Sequence, residues 1–179
     1  MTKMTRIAKK PLAAAKAQPQ EKQIFTLQVV IVSGPMTGSF IEQNPVVSRT
    51  IEARGDHTLA DLHHAIFAAF GRDDEHMYEF QIGGKRPMDP KARRFGPSMA
   101  MVDPFGERDG SADATHATIG SLGLATGNQF GYWFDFGDDW WHQIDLLAIA
   151  EGVLRGKLPK VTQRVGASPP QYVDWDEEA

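Results

Sequence analysis

The segment Phe130-Gly-Tyr-Trp-Phe-Asp-Phe136, Gly137-Asp-Asp139, Trp140-Trp-His-Gln-Ile-Asp-Leu-Leu147 admits little besides a β-hairpin. Two alternating, aromatic-rich runs flank a Gly-Asp-Asp break, as strands flank a turn. With 137–139 as a three-residue loop, Phe136 pairs with Trp140 and Phe134 with His142. That register gathers Phe130, Tyr132, Phe134, Phe136, Trp140, His142, Ile144 and Leu146 on one face. A two-residue loop would slip the register by one and mix the faces. Trp133 and Trp141 fall on the opposite face.

The rest of the chain adds strands and one strong helix. Ile24 to Val32 places Phe25, Leu27, Val29 and Ile31 on one side. Val46 to Ala53 alternates Val47, Ile51 and Ala53 with Ser48, Thr50 and Glu52, which predicts a half-exposed strand. Thr58-Leu-Ala-Asp61 has the form of a capping box. Leu59, Leu62, Ile66, Ala69 and Phe70 then form a helical stripe, and Gly71 is a natural stop. Tyr78 to Ile82 reads as a strand closed by Gly83-Gly84. Residues 85–117 hold Pro87, Pro90, Pro97 and Pro104 and are expected to be a long loop or insertion. Ile119 to Leu124 is a connector that tucks its leucines under the sheet. The segment after Leu147, with Gly156, Pro159, Pro169 and Pro170, is expected to be loop or a wrapping arm. This order predicts an α+β fold, a β-grasp-like roll with a mixed or antiparallel sheet and one main helix packed across it.

Length and charge set the organisation. The chain has 179 residues, enough for one domain, taken as residues 24–172. Residues 1–23 carry six basic residues and one acidic, whereas the whole chain has a net charge of −4. They read as a disordered basic tail with little to bury. Residues 173–179 form an acidic end. A basic tail on an acidic body suits broad phosphate-backbone binding poorly, so nucleic acid is a minor expectation resting on that tail alone. There is no cysteine, which removes disulfides, thiolate metal sites and cysteine nucleophiles. No apolar run approaches the roughly 18 residues that span a bilayer. The expected location is cytoplasmic, without a targeting segment.

Three segments together resemble a known family: Leu59-x-x-Leu62-His63 through Ala69-Phe70-Gly71, His76-Met-Tyr-Glu-Phe80-x-Ile82-Gly83, and Phe134-Asp-Phe-Gly-Asp138-x-Trp140-x-His142-x-Ile144. They are similar to the Ri-plasmid open-reading-frame-three-like (PRiA-type) family, whose members also carry the label insertion-element passenger TnpR family. The resemblance runs over about residues 24–172 and implies a β-grasp-like α+β fold. It implies no activity. The TnpR label suggests resolvase chemistry, but the body is acidic and no helix-turn-helix follows the core, so the label reads as genomic neighbourhood.

Candidate chemistry gathers at the hairpin. Asp135, Asp138, Asp139 and His142, with Trp140 beside them and His63 or His76 arriving from elsewhere, could hold a divalent metal such as zinc, manganese or iron, or do general acid–base work. Asp138 and His142 are the ligands to expect if a metal is bound. A structural reading competes: Asp supports the turn, and an Asp138–His142 or Asp135–His142 bond satisfies a buried imidazole. His63 is expected at the edge of the helix stripe and His64 further round. Trp133 and Trp141, if exposed, mark a surface for a partner or ligand. The leading expectation is a non-catalytic module that binds a protein, peptide or ligand and needs no cofactor. The alternative is a small metal-dependent hydrolase using Asp135, Asp138 and His142.

Overall fold

The structure, a computed structural model, describes residues 20–97, 111–152, 157 and 159–175. Residues 1–19 of the basic tail, 98–110 of the long loop and 176–179 of the acidic end lie outside the described residues.

Alternation in the first strand, β1 (Ile24–Ser33), buries Phe25, Leu27, Val29 and Ile31. A short helix α1 (Gly38–Gln43), capped by the Thr37 side chain, leads to β2 (Ser48–Arg54). The longer helix α2 (Leu59–Ala69) begins with both halves of the capping box: the Asp61 N–H donates to Thr58 Oγ1, and the Thr58 N–H donates to Asp61 Oδ2. Its stripe of Leu59, Leu62, Ile66, Ala69 and the following Phe70 is fully buried. Gly71 ends it at a φ of +64°, which a Cβ would disfavour. Thr58→Ala is expected to lower stability by about 1 kcal/mol with an unchanged urea m-value, because one helix-end donor loses its partner.

Then follow β3 (Tyr78–Ile82), β4 (Arg93–Gly96), β5 (Ala112–Asp113), a 3-10 turn (Ile119–Leu122), β6 (Gln129–Phe134), β7 (Trp140–Ala150) and β8 (Lys160–Val165). All eight strands form one sheet in the order β5-β4-β3-β6-β7-β1-β2-β8. Every pairing is antiparallel except β4–β5, so the sheet is mixed and the architecture α+β. One face packs on α2 and the 3-10 turn and holds the core; Ile119, Leu122 and Leu124 are buried there.

Several expectations change. β2 is not half exposed: Ser48, Arg49, Thr50 and Ile51 are all buried, since β1 and β8 flank the strand. Arg49 is tolerated inside because its guanidinium is fully engaged. It donates to the carbonyls of Ala69, Ser48, Val165 and Gly166 and to Ser168 Oγ, and lies over the Phe70 ring. Arg164 also donates to the Ala69 carbonyl, so two cations meet the C-terminal end of α2, where the helix dipole favours positive charge. The stretch 85–117 is not all loop, since it contributes β4 and β5. The segment after Leu147 is not all loop either: β7 continues to Ala150 and β8 forms the sheet edge. Beyond β8 the chain does wrap back, with Pro169 and Gln171 buried.

The hairpin closes with residues 135–139 rather than 137–139. Phe134 pairs with Trp140, Tyr132 with His142 and Phe130 with Ile144. Asp135 and Asp139 adopt φ values of +55° and +56°, and the Asp139 N–H donates to the Asp135 carbonyl. The wider loop shifts the register by two, so the face assignment of both strands survives. Only Phe136 leaves the inner face, and it is exposed.

Candidate functional site

Three groups of polar residues surround the hairpin. In the first, α2 turns His63 inward, where it is fully buried rather than at the edge of the stripe. Its ring stacks on Tyr78, with centroids 3.7 Å apart and an interplanar angle of 9°. Nδ1 lies 2.8 Å from the Tyr132 hydroxyl, and Nε2 lies 3.1 Å from Glu75 Oε2. Burial holds His63 down to about 4, against the opposing pull of Glu75, so the ring is neutral at pH 7. Burial likewise raises Tyr132 well above the usual phenol range. His64 points outward, with its Nδ1 3.7 Å from Glu75 Oε1.

The second group is the turn itself. Asp135 is buried and its Oδ1 accepts from the backbone N–H groups of Gly137 and Asp138. Its Oδ2 lies 3.4 Å from His76 Nε2, which is also 2.9 Å from the Tyr172 hydroxyl. Asp135 thus supports the turn, and the turn is tied through His76 to the C-terminal arm. Gln171 strengthens that tie, since its Oε1 accepts from the N–H groups of Asp73 and Asp74 and its Nε2 donates to the Asp74 carbonyl.

The third group is buried. The Arg72 guanidinium lies 3.8 Å from the centroid of the Trp140 ring, and Trp140 is fully covered. Burial lowers Arg72 to about 10, with Asp135 and Asp138 among the groups that oppose the shift. His142 sits next to Phe70 and Tyr132. It does not bond to Asp135 or Asp138 as expected, and its Nδ1 is buried without a hydrogen-bond partner. The turn's left-handed residues aim the Asp135 carboxylate at backbone and His76 instead. Burial, and then the nearby Arg72, push His142 down to about 3; backbone groups of Tyr132 and Trp140 act more weakly in the other direction. Among the described residues, the set of three His, Asp or Glu donor atoms close enough to share an ion is His63, His64 and Glu75, so Asp135, Asp138 and His142 do not converge.

The outer face of the hairpin differs in character. Trp133 and Trp141 pair across the strands and stack with centroids 4.7 Å apart, tilted by 6°. Phe136 covers Trp133 at 3.9 Å, and the Trp133 indole N–H donates to Asp139 Oδ1. Both tryptophans are half-buried. Two residues along the same face, Gly131 lies between Gln81 and Gln143 of the flanking strands. With no side chain there, a cleft of about 610 Å³ opens, lined also by Asn128, Lys85 and Arg86. The Gln81 amide is fixed by Glu79 and by the Met88 N–H.

The profile of the family described as plasmid pRiA4b ORF-3-like protein matches residues 39–175. The chain belongs to that family. The pRiA4b ORF-3-like match takes in α2, β3 and the hairpin, the three regions whose motifs carry the resemblance, and runs on through the wrapping arm. A curated relative, the uncharacterized protein y4hQ of Sinorhizobium fredii, is 29% identical over 130 residues, covering 72% of this chain. The chain spans 60% of the length of that relative. Among solved structures, a protein of unknown function from Methanosarcina mazei superposes with a TM-score of 0.63 at 23% identity, covering 83% of this chain and 72% of the other. That likeness supports the fold of this pRiA4b ORF-3-like chain. Among the described residues, no helix is long and apolar enough to cross a membrane.

The Gly131 cleft, Glu75 and Arg72 were not read from the sequence as functional. The only signal for the cleft is a lone glycine within an otherwise bulky strand, the pattern that marks an open space or a close approach. Glu75 has a weaker one: Gly71 turns the chain sharply, so residues 72–76 return over the helix they follow.

Proposed function

We propose that this chain is a non-catalytic binding module that takes a ligand in the outer-face cleft. The observation that carries this reading is the opening above Gly131 on the face that also bears the Phe136–Trp133–Trp141 stack. Amides of Gln143 and Asn128 supply hydrogen-bonding edges beside the already engaged Gln81 amide, Lys85 and Arg86 add positive charge, and the stacked rings offer a rigid apolar flank. A concave site with a few polar groups is the usual form of a small-molecule site. The aromatic stack could equally flank a bound peptide, which would then extend past the cleft. The same reading takes the fold as β-grasp-like, with α2 laid across the sheet after an antiparallel β1–β2 pair.

The hydrolase alternative finds less support, because Asp135 is occupied by the turn and His76 while His142 is buried away from both carboxylates. Gly131→Leu tests the proposal. A Cβ at Gly131 meets Gln81 only at ordinary contact distance, so a side chain can start there without a clash and project into the cleft; an unchanged circular dichroism spectrum checks that the sheet is kept. Thermal-shift screening of small metabolites and peptides is expected to find binders of the natural chain that no longer stabilise Gly131→Leu. Binders that stabilise both proteins equally would remove the cleft from the account.

A further inference from the structure

The loop after α2 returns a carboxylate over two consecutive helix histidines. Neighbouring helical positions point about 100° apart. Here the two imidazoles still approach, with ring centroids 5.0 Å apart and tilted by 57°. Glu75 spans them, with Oε2 3.1 Å from His63 Nε2 and Oε1 3.7 Å from His64 Nδ1. One donor atom from each residue lies within 4.8 Å of the other two. We propose that His63, His64 and Glu75 form a binding site for a borderline divalent transition-metal ion such as zinc.

The geometry suits such an ion. Bonds of about 2.0–2.2 Å in a tetrahedral site place donor atoms roughly 3.3–3.6 Å apart. The His63–Glu75 and His64–Glu75 distances, each to a different carboxylate oxygen, lie just below and just above that range, and rotation of the exposed Glu75 and His64 side chains can bring one oxygen and both nitrogens to it. Two imidazoles and one carboxylate favour zinc or cobalt over magnesium or calcium, which prefer oxygen donors. Three protein donors leave a fourth position for water, and the exposed side chains of His64 and Glu75 leave that side open.

His63 is also held as a metal-binding imidazole needs to be. Stacking on Tyr78 fixes its plane, and the Tyr132 hydroxyl meets the nitrogen that would not bind the ion. Without metal, the Nε2–H donates to Glu75 and the Tyr132 hydroxyl donates to Nδ1. With metal, the ring proton sits on Nδ1 and donates to the Tyr132 oxygen. The hydroxyl serves both tautomers by rotating. This site is separate from the outer-face cleft and does not depend on it.

The test is calorimetric titration of the full chain with zinc, paired with the visible spectrum of the cobalt form. One ion per chain is expected. His64→Ala and Glu75→Gln, both at exposed positions, are expected to bind at least about tenfold more weakly and to lose the cobalt bands while keeping the native circular dichroism. His57→Ala and His116→Ala, elsewhere on the surface, are expected to leave affinity unchanged. No uptake by the natural chain, or equal affinity in the His64 and Glu75 variants, would overturn the assignment.

Discussion

Trp140→Ala is expected to remove about 3–5 kcal/mol of folding stability, the range for deleting a large buried aromatic side chain. Trp140 is completely covered. The Gly34 backbone lies so close that a Cβ there would sit 2.2 Å from the Trp140 ring. On the same ring rests the Arg72 guanidinium, whose Nη2 already lacks a hydrogen-bond partner. Removing the indole therefore leaves a cavity and takes the platform from a buried cation. Small domains have only about 5–15 kcal/mol to lose. Urea unfolding of Trp140→Ala beside Trp133→Ala checks the idea, because Trp133 is half-buried on the outer face and should cost far less. Equal losses would mean that the hairpin's faces are wrongly assigned.

Acid should destabilise the protein through His142. Its folded-state value is about 3, whereas an unfolded histidine titrates near 6.5. Between those values the unfolded chain holds the additional proton, so stability is complete above about pH 6.5 and falls as the pH drops towards 3. The slope is about 1.4 kcal/mol per pH unit, and the loss reaches about 4–5 kcal/mol in all. His142→Leu should flatten this part of the profile. It should be nearly neutral at pH 7, since the imidazole Nδ1 is already unpartnered and an apolar group of similar size forfeits little there. Parallel pH profiles for the two proteins would show that the burden lies on other groups.

What could be read from the sequence was local. The β1 alternation, the Thr58–Asp61 box, the helix stripe and the two faces of the hairpin each depend on residues near one another in the chain. The loop width at 135–139 depends on two aspartates adopting left-handed backbone, which composition does not dictate. Arg49 could not be placed inside from sequence, because its partners come from α2 and from residues more than a hundred positions later. β8 lies in a segment whose glycine and prolines predicted loop; it forms an edge of the sheet, where its polar residues are at home. Among the candidate residues, Asp135 lies in the turn rather than in the flanking strand, because the loop opens two residues earlier than the pattern implied. His63 is more deeply buried than its place on the stripe implied, and His142 is buried as its face implied but without the expected carboxylate partner, since helix and strand periodicity show which way a side chain points but not what waits there.

β1 is completed on one side only by β7, more than a hundred residues downstream. A ribosome must therefore release more than a hundred further residues before β1 gains its central neighbour. Until then β1 is an apolar ribbon with one open edge, a natural client for chaperones. Long-range pairing of this kind makes folding slow compared with helical bundles. Yield in a recombinant host should accordingly respond more to growth temperature and chaperone supply than to changes on the exposed rim of β8.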